Sequence, residues 1–315
     1  MSAMKPMQNN PTQSTSHKQP GRQAAVVALG MFDGVHIGHQ ALVGRATELA
    51  KNLRCKSAVY TFANHPMTVL GRGIQMLSSP GEREAAFMKL GVEDARMVTF
   101  TQALASISPE AFVQMLMELW DLKGVVVGFN YTFGDKGRGT WETLAELGEQ
   151  YGFFTEVLPP VELLGAPVSS SRIRAYVEAG DVVSAAALLG RPYCLGGEIV
   201  ANRRIGRRIG FPTANILPEP ERVLPKRGVY ATRAILEGTA YAGVTNVGMN
   251  PTVNGDHLSI ETHLIGFDQD VYGKGLMVEF CKYLRGEQRF DSIEALKEQI
   301  GRDVEQTLTM TREIL

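Results

Sequence analysis

The hydrophobic pattern of the chain changes period once, near Arg191-Pro192, and that change limits what each half can become. From Ala24 to about Leu189, short apolar runs (AAVVAL, SAVYTF, GVVVG) alternate with amphipathic stretches such as Ile37 to Leu49, the rhythm that βαβ units produce. These runs are continuous and β-branched, as in parallel strands covered by helices on both faces, so a doubly wound α/β sheet is expected. Helix punctuation agrees. Ser79-Pro80-Gly81-Glu82 reads as a capping box, Ser108-Pro109 opens another helix, and Gly91, Gly180 and Gly190 sit where C-caps belong. Beyond Pro192 come strand-like runs, GEIV, VYATRAIL, AYAGVTNVG, SIETHLIGF and LMVEFCKYL, broken by turn signals at Glu237-Gly238, Asn254-Gly255 and Asp268-Gln269-Asp270. A closed or nearly closed antiparallel barrel buries one face of so many consecutive strands without leaving free edges. A final helix is predicted, with Ile293, Leu296, Ile300, Val304 and Leu308 as its apolar stripe.

At 315 residues the chain has room for two domains, expected at 23–188 and 189–315 after a polar, disordered tail over 1–22. Lys and Arg number 32 against 33 Asp and Glu, so no global field draws the chain to nucleic acid or to an anionic membrane. No apolar run approaches the roughly 18 residues that cross a bilayer. Cys55, Cys194 and Cys281 are odd in number and far apart, which argues against a disulfide framework and a CxxC-type zinc site; with no secretory signal, a cytoplasmic location follows. A homo-oligomer stays open.

The segment Gly30-Met31-Phe32-Asp33-Gly34-Val35-His36-Ile37-Gly38-His39 falls where the first strand ends and the first helix begins. Glycines there let backbone approach a phosphate, and the helix start offers unpaired N–H groups and a favourable dipole. His36 and His39 lie on one face of that helix start, placed to donate hydrogen bonds to one phosphate group, which suits phosphoryl chemistry. An isolated HxxH would more often be a surface or capping feature, but the glycine frame reverses that preference. Neither a Walker A loop nor a GxGxxG fingerprint is present.

GMFDGVHIGH resembles the HxGH signature of the nucleotidyltransferase superfamily, in the GxFDGxHxGH form of prokaryotic bifunctional riboflavin kinase/FMN adenylyltransferases (FAD synthetases). Thr61-Phe62-Ala63-Asn64-His65-Pro66, Val127-Gly128-Phe129-Asn130-Tyr131-Thr132-Phe133-Gly134 and Val168-Ser169-Ser170-Ser171-Arg172-Ile173-Arg174 are similar to that family's TFxPHP, VGxNFxFG and SSTxIR segments, in order. The resemblance implies a Rossmann-like nucleotidyltransferase sheet. His36 and His39 would bind ATP phosphates, and Ser170, Ser171 and Arg174 would hold the triphosphate from the opposite side. Gly30, Phe32, Asp33, Gly34, Gly38, His65, Asn130 and Phe133 would line the nucleotide or flavin site. Taken alone, the serines read as an N-cap and Phe133 as core packing. Asn64 stands where Pro is usual, leaving the role of His65 open, and Ser171 where Thr is usual.

In the second half, a glycine-punctuated basic loop (Ala201-Asn202-Arg203-Arg204-Ile205-Gly206-Arg207-Arg208-Ile209-Gly210) runs into Phe211-Pro212-Thr213-Ala214-Asn215. On charge alone RRIGRR reads as a nucleic-acid patch, but it is short and lacks interleaved aromatics. The stretch resembles the riboflavin kinase flap and its GFPTAN motif, on a Greek-key-type barrel, which implies that Gly206, Arg207, Gly210 and Pro212 enclose the nucleotide. Thr213 and Asn215, i and i+2 on an extended segment, point to one side and suffice as protein oxygens for Mg2+ on ATP. Asn246-Val247-Gly248-Met249-Asn250-Pro251-Thr252 and Ile260-Glu261-Thr262-His263 match the family's NxGxxPT and VExH segments, with Leu284-Arg285-Gly286-Glu287 after them. Glu261 is the candidate base toward a ribityl hydroxyl; without the motifs it would be a solvent-facing strand carboxylate. Arg285 either pairs with Glu287 or closes the flavin pocket.

The implied activity is phosphorylation of riboflavin to FMN by the barrel and adenylylation of FMN to FAD, with pyrophosphate release, by the sheet domain. Both steps use ATP and need Mg2+. Two rivals stay open: an adenylyltransferase for another phosphorylated acceptor, and a non-catalytic flavin sensor or RNA-binding regulator.

Overall fold

A computed structural model describes residues 21–201, 209–252 and 255–310. Most of the expected tail (1–20), together with Gly206, Arg207 and Asn254 of the expected flap and turn, lies outside the described residues. The first half runs β1 (Ala24–Leu29), α1 (Ile37–Leu53), β2 (Lys56–Phe62), α2 (Pro66–Val69), α3 (Pro80–Lys89), β3 (Asp94–Val98), α4 (Gln102–Ala105), α5 (Pro109–Leu119), β4 (Asp121–Gly128), α6 (Trp141–Tyr151), β5 (Phe154–Leu158), β6 (Glu162–Leu163), β7 (Ala166–Pro167), α7 (Ser170–Ala179) and α8 (Val182–Leu189). The second half runs β8 (Tyr193–Val200), β9 (Ala214–Ile216), β10 (Gly228–Leu236), β11 (Thr239–Thr252), β12 (Gly255–Leu264), β13 (Gly275–Arg285) and α9 (Ile293–Thr309).

Two compact units emerge, interleaved in sequence. A sheet unit takes residues up to Gly30, Leu42–Pro66 and Phe87–Pro159; a barrel unit takes Met31–Ala41, Met67–Ala86 and everything from Pro160. The sheet unit carries five parallel strands in the order β3-β2-β1-β4-β5. Strand order reverses between β1 and β4, so the carboxyl ends of these two neighbours, Leu29 and Gly128, flank a topological switch point, where open α/β sheets take ligands. Val26, Val27 and Ala28 of β1 and Val125, Val126 and Val127 of β4 are wholly buried, as the continuous apolar runs require. The capping box forms: the Ser79 amide donates to Glu82 (2.9 Å) and the Glu82 amide to Ser79 Oγ (3.2 Å). Ser108 caps α5, and Gly180 and Gly190 end α7 and α8 in the left-handed conformation.

In the barrel unit the antiparallel strands close in the order β10-β11-β12-β9-β8-β13. Glu237 and Gly238 both take positive φ, 49° and 82°, in the two-residue turn joining β10 to β11. Ile216, Val247 and Ile260 face inward on three adjacent strands and are fully buried. On the same inner face Thr232, Thr245 and Thr262, all at 0% exposure, form a hydroxyl chain: Thr232 bonds the Gly243 carbonyl (3.0 Å) and Thr245 (2.8 Å), and Thr245 bonds Thr262 (2.9 Å). Alternation along a strand then turns Asn246 and Glu261 to the outer face.

The predicted apolar stripe of the last helix is corrected at its two ends, while its middle residues Leu296, Ile300 and Val304 are half-buried. Ile293 and Leu308 are exposed, and the wholly buried positions of α9 are Asp303 and Thr307. The cause is electrostatic: Asp303 turns inward to take two Arg285 nitrogens of β13 (2.7 and 3.0 Å), and Thr307 Oγ1 bonds the Asp303 carbonyl (2.8 Å).

Thr245→Val keeps the shape of the threonine chain but removes two buried hydrogen bonds, leaving Thr232 with the Gly243 carbonyl and taking the Thr245 hydroxyl from Thr262. It is expected to cost about 1–3 kcal/mol in denaturant unfolding, with the barrel still formed by circular dichroism.

Candidate active sites

The segment after β1 is held in an uncommon conformation. Phe32 and the β-branched Val35 take φ of 52° and 42°, and Gly34 lies between them at 81°. Non-glycine residues avoid this region, so something must hold them there. Asp33, 1% exposed, supplies the restraint. Its carboxylate accepts from the Leu77 amide (2.9 Å), the Ser78 amide (3.2 Å) and the Ser78 hydroxyl (3.3 Å), and forms an ion pair with Arg174 (2.6 Å). The Gly34 amide donates to Ser78 Oγ (2.8 Å), Ser170 Oγ donates to the Asp33 carbonyl (2.9 Å), and Gln40 Nε2 donates to the Val35 carbonyl (2.8 Å).

This frame presents the two histidines as a stack, ring centroids 3.6 Å apart and 15° from parallel. Gly38 makes room, since a Cβ there would lie 3.3 Å from the His36 ring. The His39 amide donates to His36 Nδ1 (3.3 Å), which places the proton of a neutral His36 on Nε2. Burial lowers the His36 pKa to about 4 and, with the neighbouring His36, holds His39 well below the ordinary imidazole value. Both rings are therefore neutral at pH 7, and His39 Nδ1 is buried with no hydrogen-bond partner. Ser169 caps α7, which leaves the Ser170 and Ser171 amides at the helix start without intrahelical partners; Ser171 is exposed. Arg174 also donates from Nε to the Gln75 carbonyl (2.8 Å). His36, His39, Phe32, Asp33, Gly34, Gly38, Ser170 and Arg174 thus belong to one constellation of the barrel unit. Within it Phe32 is buried, edge-on to His39 at 5.2 Å, and Asp33 binds protein donors.

The remaining first-half candidates lie in the sheet unit. Gly30, His65 and Asn130 follow the carboxyl ends of β1, β2 and β4, on one edge of the parallel sheet. Asn130 is exposed, whereas Phe133 is buried in the core against Phe112 (5.2 Å) and Tyr131 (5.8 Å). Asn64 clamps the Phe100 backbone, donating to its carbonyl (3.0 Å) and accepting from its amide (2.7 Å). This gives the unusual asparagine a structural task.

On the barrel's outer face, Asn215 of β9 lies directly across from Glu261 of β12, and Glu261 directly across from Asn246 of β11. Side chains paired in register share a face. Asn215 Nδ2 is 3.3 Å from Thr213 Oγ1, so the i, i+2 pair does share one side. The Pro212 carbonyl contacts His263 Nδ1 (2.9 Å), and Phe211 meets the His263 ring edge-on at 5.4 Å, fixing the start of this segment. A cavity of about 300 Å³ opens beside it, lined by Thr213, Asn215, Leu264, Phe267 and Tyr272 among others. Gly210 precedes it with φ of 88°. A Cβ on Gly248 would lie 2.6 Å from Glu287 Oε1 and 2.9 Å from Asn246 Nδ2, so Glu287 reaches the same face. Arg285 pairs with Asp303 rather than Glu287, which sequence reasoning left open. Asp303 and Ser78 carry no motif, and only the fold reveals their partners.

A restrained loop carrying two stacked, neutral histidines at a helix start, and a separate cavity on an antiparallel barrel, are the two candidate sites of an enzyme of two parts. Residues 18–172 match the FAD synthetase family and 189–311 the riboflavin kinase family. Curated relatives include the bifunctional riboflavin kinase/FMN adenylyltransferases of Bacillus subtilis (36% identity, 90% of this chain and 92% of that protein), Pseudomonas fluorescens (36%, 91% and 93%) and Escherichia coli K12 (32%, 90% and 92%). A crystal structure from Streptococcus pneumoniae described as a macrolide-efflux protein superposes at TM-score 0.84 with 32% identity, covering 92% of this chain and 95% of that one. No helix among the described residues here is long and apolar enough to cross a membrane. The chain belongs to the bifunctional riboflavin kinase/FMN adenylyltransferase family: its C-terminal part phosphorylates riboflavin to FMN and its N-terminal part adenylylates FMN to FAD.

Because the folded His36 pKa is depressed, the unfolded chain binds more protons between pH 6.5 and about 4. Stability is then fully present above pH 6.5 and falls with pH across that window, by roughly 3 kcal/mol at its foot. His36→Asn is expected to flatten this limb in urea unfolding series run from pH 7 to 4.

Proposed function

We propose that the stacked histidines form the adenylyl-transfer site and that the cavity beside β9, with Glu261 and Asn246, forms the phosphoryl-transfer site, assigned to residues 23–188 and 189–315 respectively. For adenylyl transfer, the reading rests on the neutral imidazole pair held over a restrained loop that Asp33 ties to Arg174. A ring with a pKa near 4 is a poor base at neutral pH, so His36 acts as a hydrogen-bond donor through Nε2. Charge moves onto the pyrophosphate as the α-phosphate bond breaks, and donors already in position stabilise that charge more than they stabilise bound ATP. His39 supplies the second donor. Arg174, with Nε and one Nη2 proton committed, offers Nη1 to the leaving pyrophosphate, while the Ser170 and Ser171 amides bind its other oxygens at the α7 start. Asp33, Phe32, Gly34 and Gly38 contribute by shaping the loop. In the sheet unit by itself, His65 and Asn130, after the carboxyl ends of β2 and β4, are the candidates for contacting flavin.

For phosphoryl transfer, the register that places Asn215, Glu261 and Asn246 side by side carries the reading. Glu261 accepts the proton of the riboflavin 5′-hydroxyl as that oxygen attacks the γ-phosphate, and Asn246 orients the flavin side of the pocket. Gly206, Arg207 and Gly210 belong to the flap over the nucleotide, and Arg285 supports the wall through Asp303. Thr213 and Asn215 are two neutral oxygen donors on one side of an extended segment, and the described residues contain no cluster of acidic or histidine ligands. That donor set fits Mg2+ recruited with the triphosphate rather than a resident metal. When bound, Mg2+ neutralises phosphate charge. With three unpaired cysteines among the described residues, we place the enzyme in the cytoplasm.

Two substitutions in the full chain separate the sites. His36→Ala is expected to lower FAD formation by about 100-fold or more while FMN formation persists, and Glu261→Gln to lower FMN formation by about 100-fold or more while added FMN is still adenylylated. Chromatographic product analysis with riboflavin or FMN, ATP and magnesium reads both; loss of both activities from either change in a folded protein contradicts the two-site reading. Chelation with EDTA is expected to stop both.

A further inference from the structure

We infer that Arg222, inside the segment matched to riboflavin kinases, is a positioning residue for adenylyl transfer. This rests on the placement of Arg174 at the triphosphate. Arg222 is 4% exposed and follows no motif. Its backbone runs beside Met76: the Met76 amide donates to the Glu221 carbonyl (2.6 Å) and the Val223 amide to the Met76 carbonyl (3.0 Å). Its guanidinium donates to the Leu77 carbonyl (3.0 Å), the Cys194 carbonyl (3.0 Å) and Glu82 Oε1 (3.2 Å), and forms an ion pair with Glu82 Oε2 (3.0 Å). None of these bonds reaches Thr213, Asn215, Asn246 or Glu261.

The Leu77 carbonyl and the Ser78 amide are the two ends of one planar peptide group. Arg222 holds the oxygen end, and the nitrogen end donates to Asp33 Oδ1 at 3.2 Å. The other Asp33 oxygen holds Arg174 at 2.6 Å. A rigid plane thus connects two arginines through one carboxylate, and hydrogen bonds in such a series polarise one another. Glu82 adds a second tether: it caps α3 at Ser79, directly after the peptide that Arg222 grips. Removing the guanidinium frees the 77–82 segment, lets Asp33 relax and moves Arg174 off the leaving group, with the kinase site untouched.

The test uses full-length R222M, R222K, R174K and the R222M/R174K double variant, with both activities measured on each preparation and kcat separated from KM. R222M is expected to lower adenylylation kcat by about 10- to 100-fold while riboflavin phosphorylation stays within about twofold. R222K should recover part of the loss, since an ammonium restores charge but not the fork. In the double variant the losses should not add, because both residues act through Asp33. Equal loss of both activities, full adenylylation in R222M, or additive losses would overturn the inference. If R174K is impaired while R222M is fully active, only the relay fails; if R174K is fully active, the Arg174 assignment fails and the relay with it. Should R222M not fold, E82Q, which keeps the helix cap, reads the same contact: selective loss of adenylylation supports the relay, and equal loss or none overturns it.

Discussion

A carboxylate removed from water is costly unless every acceptor position is used, and Asp33 meets that condition with backbone amides, a hydroxyl and an arginine. Its bonds decide three things together. They keep Phe32 and Val35 at positive φ, a conformation costing about 1–3 kcal/mol per residue. They bring the start of α7 against the loop through Ser170 and Arg174. They also fix where α1 begins, and so where His36 and His39 stack. The histidines would not be neutral, parallel and crowded if the loop were free to relax, because two imidazoles at 3.6 Å ease their burial by turning toward water.

The barrel reaches the same end by other means. No strained loop is needed to align Asn215, Glu261 and Asn246, since register alone places them in one row. What must be secured is the register, and a one-residue slip would invert every side chain on a strand. Val247, Ile260 and Ile216 oppose such a slip by burial, and the threonine chain opposes it by geometry, because its hydroxyls find each other only in this pairing. Polar atoms inside the barrel therefore help to hold the row of side chains outside it. The two sites differ accordingly: one depends on a buried ion pair and titrating rings, the other on neutral oxygens and a half-buried carboxylate.

The fold was legible because its signals are local and repeated. A change from helical to strand rhythm at Pro192, a capping box at Ser79, and glycines that end α7 and α8 each state their structure within a few residues. The candidate site residues stand in motifs: the HxGH segment, the serines before Arg174, and the Thr213–Asn215 pair. What escaped depends on partners far along the chain. Arg285 has its true partner, Asp303, 18 residues on, and that aspartate makes the inward face of α9 polar where periodicity pointed to Ile293 and Leu308. Asn64 looks like a defective motif position until Phe100 is seen between its amide atoms. Short β9 carries no period of its own in three residues; pairing with β8 and β12 makes it a strand.

Family matches and packing divide the chain differently, and the difference has a physical origin. The FAD synthetase match ends at residue 172 and the riboflavin kinase match begins at 189, leaving most of α7 and all of α8 but Leu189 between them. Those two helices are not a linker. Ile173, Val177, Val182, Ala185 and Leu188 are fully buried, in one apolar cluster with Tyr193, Tyr230 and Phe280 of the barrel. Arg174, the residue after Ile173, reaches from the same helix to Asp33. A motif residue of the adenylyl-transfer half is thus mounted on an element whose apolar face belongs to the barrel core, and burial of that face, at about 25 cal/mol per Å², anchors α7. Sequence families record which motifs descend together, whereas the apolar faces decide which residues are held together, and in this chain Arg174 is held by the barrel unit.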